Sequence, residues 1–275
     1  MVNDILYELR DVRYAYLGRF TALDGVSLAI RKGERVALLG ANGSGKSTLL
    51  MVLAGLIFPA DGAVKFCGRG MAEGSFTDAS FRKDFRSRVG IVFQNSDVQL
   101  FNSSVEDEIV FGLSQLGLPA RQIRERTEKY LELMVAAHLR DRAPHYMSAG
   151  EKKKVAIASV LAMEPEVILF DEPTAGLDPR TSRQLVDTMV RLGEEGKTVI
   201  TSTQDIHLVS EIADRAIVLS EAKKIARDSD IHSVLSDHSF LQEHNLIHMH
   251  AHRHADKVHV HEHEHPSHDH RHSNQ

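Results

Sequence analysis

Short, wholly apolar runs alternate with longer helical patterns over most of the chain. Val36–Leu39, Val167–Phe170 and Ala216–Leu219 contain no polar residue, and Thr198–Ser202 is a β-branched run of similar length. Such runs are typical of strands that are buried on both faces of a parallel sheet. Helical patterns follow most of them, at Ser47–Leu56, Thr181–Leu192 and Ile206–Ala213. Strands that alternate with helices predict an α/β fold with a mainly parallel sheet.

The N-terminal part has a different pattern. Ile5–Leu9 and Val26–Ile30 partly alternate between apolar and polar positions, which predicts half-buried strands joined by turns. Two further short strands are predicted at Ala63–Phe66 and Arg88–Phe93. Residues 104–160 are mostly helical in pattern, with a break at 117–119.

Composition narrows the class of protein. The chain has 275 residues, a net charge of −5 and a single cysteine. The charge argues against a general nucleic-acid binder, and one cysteine excludes an internal disulfide framework. The N-terminus lacks a cationic start, and no apolar run approaches the ~18 residues of a membrane span. We therefore expect a cytoplasmic protein without direct membrane insertion, whose membrane role would come through a partner.

The C-terminal segment is rich in histidine. Of the 17 histidines, eleven lie between His248 and His272, where core-forming residues are rare, so we expect a disordered tail from residue 248 to 275. Neutral imidazole is a good ligand for Ni²⁺, Co²⁺, Zn²⁺ and Cu²⁺. The alternating histidines predict several weak, overlapping metal sites; a solvated tail without function is the alternative. These histidines are His248, His250, His252, His254, His259, His261, His263 and His265.

The segment Gly40–Thr48, GANGSGKST, fits the pattern G-x-x-x-x-G-K-[ST] between a predicted strand and a predicted helix. Glycines allow the backbone to wrap around a triphosphate, and the following helix start offers free N–H groups. Lys46 is expected to reach the β- and γ-phosphates, and Ser47 to bind Mg²⁺. The predicted phosphate-binding residues are Gly40, Ala41, Asn42, Gly43, Ser44, Gly45, Lys46, Ser47 and Thr48.

Two acids follow the apolar run Val167–Phe170. An acid at the tip of a parallel strand lies where ligands bind in such sheets, beside the phosphate loop. We therefore expect Asp171 to hold Mg²⁺, directly or through water, and Glu172 to act as the general base that activates water.

Several motifs in order along the chain resemble those of ATPase subunits of ABC transporters. Asp171–Thr174 is followed by Ala175–Asp178, which resembles the D-loop of that family, and Met147–Glu151 resembles its signature motif. Gln94 resembles the Q-loop glutamine, and Tyr16 the aromatic residue that stacks on adenine.

The resemblance implies a P-loop NTPase fold, with a RecA-like parallel core, an antiparallel β subdomain and a helical subdomain that carries the signature motif. It assigns residues 1–225 to the nucleotide-binding domain, with the helical subdomain at about 95–160. A short helical extension is expected over 226–247, before the tail.

The resemblance also implies that two subunits share each ATP. Ser148, Gly150 and Asp178 would complete the site of a second copy or of a similar ATPase. Ser47, Gln94 and Asp171 would hold the Mg²⁺ of ATP. Ser148 also fits a simple helix N-cap, and both roles are compatible.

Two positions depart from the family pattern. Ala149 replaces a glycine of the signature motif, and a methyl group penalises a left-handed backbone. Gln204 stands where a switch histidine is usual; it can donate a hydrogen bond but cannot become cationic. We expect ATP hydrolysis to be retained but slowed, with Gln204 still in the catalytic site; an ATP-binding subunit with weak turnover is the alternative. Compensation by His207 is a further option.

The segment after Gln94 resembles that of energy-coupling-factor ATPases, in which a groove near the Q-loop receives a helix of the membrane subunit. Phe101, Val105, Ile109 and Phe111 are candidates for that groove or for the core of the helical subdomain. The resemblance implies an integral membrane coupling subunit and a metal-recognising membrane subunit as partners, at the cytoplasmic face of the membrane.

Together with the histidine-rich tail, the resemblance favours the subgroup that imports cobalt or nickel. A vitamin importer of the same type and a zinc ABC importer remain alternatives.

Overall fold

The computed structural model of the protein describes residues 4–254 and 257–263. Its strands, in chain order, are β1 (Ile5–Tyr16), β2 (Phe20–Arg31), β3 (Arg35–Leu39), β4 (Asp61–Phe66), β5 (Arg69–Gly70), β6 (Val89–Val92), β7 (Val167–Asp171), β8 (Thr198–Ser202), β9 (Arg215–Leu219), β10 (Ile225–Asp230), β11 (His248–His254) and β12 (Lys257–His263). Its α-helices are α1 (Lys46–Leu53), α2 (Ala79–Arg88), α3 (Val105–Gln115), α4 (Ala120–Leu133), α5 (Ala149–Ala162), α6 (Pro179–Glu194), α7 (Ile206–Ile212), α8 (Ile231–Leu235) and α9 (His238–Glu243).

A six-stranded sheet in the order β10-β9-β3-β8-β7-β6 forms the centre of the molecule. All its neighbouring strands are parallel except β10, which runs antiparallel to β9. Every residue of β7 and β8 is buried, as expected for strands covered on both faces. Because the strands are parallel, the carboxyl ends of β3, β7 and β8 meet at one edge, where Asp171 is paired in register with Ser202.

A second, antiparallel sheet in the order β2-β1-β4-β5 covers α1. Leu49, Leu50 and Leu53 of α1 belong to the same buried cluster as Leu23 and other residues of this sheet. This packing places the end of β1, with Tyr16, beside the segment that joins β3 to α1.

The helical subdomain consists of α3, α4 and α5, whose apolar faces share one core with the parallel sheet. Val105 and Ile109 are completely buried in that core. They therefore cannot contribute to a surface groove, and for these two residues the core interpretation is correct. Phe101 and Phe111 are exposed, at 68% and 46%, and their rings make an edge-to-face contact at 5.1 Å.

Three regular elements before the histidine-rich tail are absent from the pattern-based prediction: α2, β5 and β10. Helix α2 is capped by the Asp78 carboxylate and buries Phe81 and Phe85, which lie four residues apart on one face. Apart from Ala79 its other positions are polar, so the apolar stripe is too narrow to be recognised by periodicity. Strand β10 occupies Ile225–Asp230, where a helical extension was expected to begin at 226; its polar positions belong to a sheet edge. The extension is helical only from α8 onwards.

The first part of the predicted tail also differs from the expectation of disorder. β11 and β12 form an antiparallel hairpin, in which His248 is paired with His263 and His250 with His261. The strict alternation of histidine with other residues has the period of a strand, which provides a reason for the pairing. Residues 264–275, and His265 with them, lie outside the described residues.

Candidate nucleotide-binding site

The phosphate loop joins β3 to α1, as the sequence predicted. Gly40, Gly43 and Gly45 have φ values of 146°, 77° and 109°, in the region that favours glycine. A Cβ atom on Gly45 would overlap the carbonyl oxygen of Ala22, and one on Gly40 would overlap that of Leu219. All three glycines are therefore favoured by the backbone conformation, and Gly40 and Gly45 are required by the packing as well.

Lys46 is 6% exposed and folds back over the loop, where its Nζ atom donates to Gly40 O at 2.8 Å and Ala41 O at 3.2 Å. Nζ also lies 3.8 Å from Glu172 Oε1. Burial lowers the pKa of Lys46, while the negative charges of Glu172 and Asp171 oppose that shift. A polyanion in the loop would favour the charged ammonium in the same way.

Asp171 lies at the end of β7 and receives two hydroxyl hydrogen bonds. Ser47 Oγ donates to Asp171 Oδ1 at 3.0 Å, and Ser202 Oγ donates to the same atom at 2.6 Å. The phosphate loop, β7 and β8 therefore meet at one carboxylate. The sequence did not single out Ser202. Its position opposite Asp171 becomes visible only in the register of β7 and β8.

Glu172 is held in an unusual backbone conformation, with φ at 41°. Its N–H donates both to the Ser202 carbonyl oxygen and to Ser202 Oγ, each at 3.1 Å. Burial raises the pKa of Glu172 and Asp171 adds to the increase, whereas Lys46 and hydrogen bonds from Gln204 lower it. Its Oε1 atom is buried without a hydrogen-bond partner, as expected of an acceptor that faces a ligand or water.

Gln204 lies between β8 and α7, and its Nε2 atom donates to Oδ1 of Asn42 in the phosphate loop. The structure thus brings Gln204 together with the loop and with Glu172. His207 instead lines a separate cavity with Ser210 and His238, between α7 and the C-terminal helices. Its side chain is therefore not placed to replace the missing switch histidine.

An open cleft of about 410 Å³ lies in front of the loop. Tyr16 is at one side, with its hydroxyl 3.2 Å from Thr48 Oγ1, and Gln94 and Glu172 are also in the lining. Lys223 reaches the cleft from the β9–β10 turn and donates to Gly43 O at 2.5 Å. Sequence reasoning missed Lys223, because nothing in the sequence brings that turn to the phosphate loop.

Residues 93–99, here called the Q-loop, connect β6 to the helical subdomain. The backbone oxygen atoms of Phe93 and Gln94 accept hydrogen bonds from Lys153 Nζ on α5, at 2.9 and 2.7 Å. Lys153 is 3% exposed, and burial lowers its pKa to about 8, with an opposing contribution from Asp171. Lys153 is a second residue that sequence reasoning did not identify.

The signature segment lies at the start of α5, and neither Ser148 nor Gly150 lines the cleft of its own chain. Ser148 Oγ accepts from Glu151 N at 3.3 Å, and Glu151 Oε2 accepts from Ser148 N at 2.8 Å, which is a capping box. Asp178 caps α6 and lies near Gly150: a Cβ on Gly150 would be 3.9 Å from its carboxylate. The hydrogen bond from Thr181 lowers the pKa of Asp178.

Ala149 is the first residue of α5 and has no positive φ. The predicted penalty for a left-handed backbone is therefore wrong, because a right-handed helical residue accepts a methyl group without strain.

The groups around the cleft suit a nucleoside triphosphate with a divalent cation. A Cβ atom on Gly40 or Gly45 would overlap a backbone oxygen, and buried Glu172 Oε1 has no hydrogen-bond partner. A serine hydroxyl and a carboxylate, Ser47 and Asp171, are the hard oxygen ligands that Mg²⁺ prefers. Within residues 4–247, no cluster of three or more histidine, cysteine, aspartate or glutamate side chains is suitable for another metal ion. Binding of metal ions by the histidine-rich tail depends on side chains beyond residue 247.

The fold and the loop define the class of protein: a P-loop ATPase with a helical subdomain in which α5 begins at the signature segment. The family model of ABC transporters matches residues 23–175, and the chain belongs to this family. The ATP-binding proteins of transporters in this family hydrolyse ATP to drive transport. No described helix is both long and apolar enough to cross a bilayer.

Known proteins resemble the chain over most of its length. It is 46% identical to the nickel import ATP-binding protein NikO of Rhodobacter capsulatus, over 88% of this chain and 95% of that protein. The structure of cbiO1 from Clostridium perfringens, part of the ABC transporter complex cbiONQ, is 34% identical, with a TM-score of 0.73 over 89% of this chain and 96% of that one. The dimeric ATP-binding cassette MJ0796 bound to ADP and Pi is 28% identical, with a TM-score of 0.75 over 82% and 99%.

Proposed function

We infer that the protein is the ATP-binding subunit of an energy-coupling-factor importer and powers the uptake of a transition-metal ion, cobalt or nickel. The observation that carries this proposal is the likeness to a nickel import ATP-binding protein over nearly the whole of both chains. The histidine-rich C-terminus agrees with a metal substrate, since imidazole binds both ions well.

In this proposal the cleft binds ATP with Mg²⁺. The adenine stacks on Tyr16, the phosphates lie against the backbone N–H groups of Gly40–Thr48, and Lys46 neutralises part of their charge. Ser47, Gln94 and Asp171 would hold the Mg²⁺, which would supply charge neutralisation at the phosphates.

Glu172 accepts a proton from the attacking water, and its buried Oε1, which has no hydrogen-bond partner and lies 3.8 Å from Lys46 Nζ, is the atom suited to that role. Because burial raises its pKa, the carboxylate is a stronger base than an exposed glutamate. Gln204 donates a neutral hydrogen bond to the γ-phosphate or orients the water. A neutral donor gives less stabilisation of developing charge than a cationic one, so turnover is slower than with histidine at this position.

The working unit is a dimer with a second copy or a similar ATPase. Ser148 and Gly150 lie outside the cleft of their own chain, so they can contribute to an ATP site only from across an interface. Asp178 lies beside them and belongs to the same surface. ATP that contacts both halves favours the closed dimer, and loss of the γ-phosphate removes those contacts.

The membrane coupling subunit docks beside the Q-loop, at the cytoplasmic face of the membrane. Phe101, Phe111 and Val98 are large apolar side chains that are largely exposed there, at 68%, 46% and 69%. An amphipathic helix of the coupling subunit would bury them. A further membrane subunit recognises the metal, and the histidine-rich tail binds it weakly as a buffer or sensor.

Uptake of radioactive nickel and of cobalt, in cells that express this chain with the membrane subunits encoded beside it, tests the proposal. The matched control carries Glu172→Gln, which binds ATP without hydrolysing it. Uptake that depends on Glu172 supports the proposal for the metal concerned. An assembled, ATP-hydrolysing complex that takes up neither metal refutes it and leaves the vitamin and zinc importers to be assayed.

Deletion of residues 248–275 tests the tail separately. Unchanged uptake across a range of metal concentrations would refute a buffering or sensing role, without affecting the proposal for the ATPase itself.

A further inference from the structure

The Q-loop is attached to the helical subdomain through a buried charge. Lys153 Nζ donates to the backbone oxygens of both Phe93 and Gln94, at 2.9 and 2.7 Å. Gln94 is in the lining of the nucleotide cleft. The backbone position of Gln94 is therefore fixed by a side chain of α5 and not only by the end of β6.

Two further contacts join the same segments. Gln99 Nε2 donates to Ala156 O on α5 at 3.0 Å, and its Oε1 atom accepts from Phe93 N at 3.2 Å. At the surface, Lys152 Nζ lies 2.6 Å from Asp97 Oδ1. Both ends of the Q-loop are thus attached to α5 by side-chain contacts.

A buried lysine at this position is costly for folding. Removing an ammonium group from water is unfavourable unless good hydrogen bonds compensate, and an apolar side chain of similar volume is often at least as stabilising. The depressed pKa of Lys153 reflects the same cost. A methionine or leucine side chain would fill the same volume, so the hydrogen bonds to the two carbonyl oxygens are the specific contribution of Lys153.

The same helix begins at the signature segment. Ser148 is the N-cap of α5 and lies five positions before Lys153. A helix of this length moves as a rigid element, so a displacement of Gln94 is passed to Ser148 through Lys153.

We propose that Lys153 is a positioning residue that ties Gln94 to α5, so that the nucleotide bound at Gln94 sets the position of the signature segment. The proposal rests on the roles given above to Gln94 and Ser148, and it adds the link between them. Lys153 acts through Gln94 and does not touch the nucleotide.

A double-mutant cycle on purified full-length protein tests this link through steady-state ATP hydrolysis. Lys153→Met removes both donors while keeping the volume, and Gln94→Ala removes the side chain that Lys153 is proposed to position. We expect Lys153→Met to lower kcat by about tenfold and to change the KM for ATP less than about threefold, because the phosphate loop is untouched. We expect the double variant to be no more than about threefold slower than the slower single variant.

Lys152→Met is the matched control, because the ion pair between neighbouring Lys152 and the largely exposed Asp97 is the weakest of these contacts with the Q-loop. Its kcat should stay within about twofold of the original, as for other surface ion pairs. Gln99→Leu provides a second route, since it removes the other contact between the Q-loop and α5; its effect should also be non-additive with Gln94→Ala. Thermal unfolding of each variant identifies any that fails to fold. If Lys153→Met fails to fold, the kcat values of Gln99→Leu and of its combination with Gln94→Ala decide whether the proposal holds.

Multiplicative losses of kcat for Lys153→Met and Gln94→Ala would overturn the proposal, because they would show that the lysine acts independently of Gln94. An unchanged kcat in Lys153→Met would overturn it as well. Neither result depends on which substrate is transported, so the outcome is separate from that of the uptake experiment.

Discussion

Replacement of Ser202 by alanine tests the arrangement of the two acids. Ser202 is fully buried at the end of β8, and its hydroxyl donates to Asp171 Oδ1 at 2.6 Å. The same hydroxyl accepts from Glu172 N at 3.1 Å, but that N–H also bonds the Ser202 carbonyl oxygen. In Ser202→Ala the second interaction is therefore largely retained, and the main loss is one hydrogen bond to a carboxylate.

A hydrogen bond to a charged group contributes about 1.5–3 kcal/mol, so we expect the free energy of unfolding to fall by about 2 kcal/mol. For a domain of about 150–250 residues, each kcal/mol shifts the thermal midpoint by roughly 2–4 °C, which gives a decrease of about 4–8 °C. Asp171 would keep only the bond from Ser47 among those described above. A less fixed carboxylate should also raise the Mg²⁺ concentration that gives half-maximal ATP hydrolysis.

Thermal unfolding without nucleotide measures the stability effect, and Mg²⁺ titration of ATP hydrolysis measures the functional one. Thr201→Val is the matched control: Thr201 is the preceding residue of β8, it is 1% exposed, and its hydroxyl has no hydrogen-bond partner. Removing a buried hydroxyl that has no hydrogen-bond partner should not lower the stability and should raise it by about 1 kcal/mol. Equal destabilisation by the two variants, or none in Ser202→Ala, would refute the reasoning.

Three further predictions concern the cleft. Burial raises the pKa of Glu172, and a general base must be deprotonated to accept a proton. The kcat should therefore fall with decreasing pH through a pKa above the ordinary glutamate value of about 4.3. A kcat that stays constant down to that pH would contradict this. Lys223→Met removes a cation from the cleft and should raise the KM for ATP about 3–10-fold at unchanged kcat. The control Lys224→Met loses a surface ion pair with Asp24 and should change neither the KM nor the kcat. Gln204→His should raise kcat about fivefold, because a charged donor gives about 1 kcal/mol more than a neutral one; unchanged turnover would show that glutamine is tolerated.

Local patterns predicted most of the residues that line the candidate site. The phosphate loop was predicted at its observed place because glycine at fixed positions, followed by lysine and serine, is a requirement of one short backbone segment. Asp171 and Glu172 were predicted because an apolar strand ends there. Such features depend on neighbours along the chain and are therefore visible in the sequence.

Some expectations failed where the tertiary environment decides. Val105 and Ile109 have the same apolar character as Phe101 and Phe111, yet only the latter two are exposed. The methyl group of Ala149 was expected to have a modest effect by penalising a left-handed backbone, but its position as the first residue of α5 makes a right-handed backbone available. Burial and backbone conformation at these positions depend on how α3 and α5 pack.

The sequence by itself determined the class of this protein: the alternation of buried strands with helices, the phosphate loop, the acids after β7 and the order of the family motifs. Only the tertiary structure revealed Ser202, Lys153 and Lys223, each of which bonds a site residue far away along the chain. The physical reason is that serine and lysine occur at many surface positions, and neither residue type indicates its partner. Their roles follow from the packing of β8 beside β7, of α5 against the Q-loop, and of the β9–β10 turn against the phosphate loop.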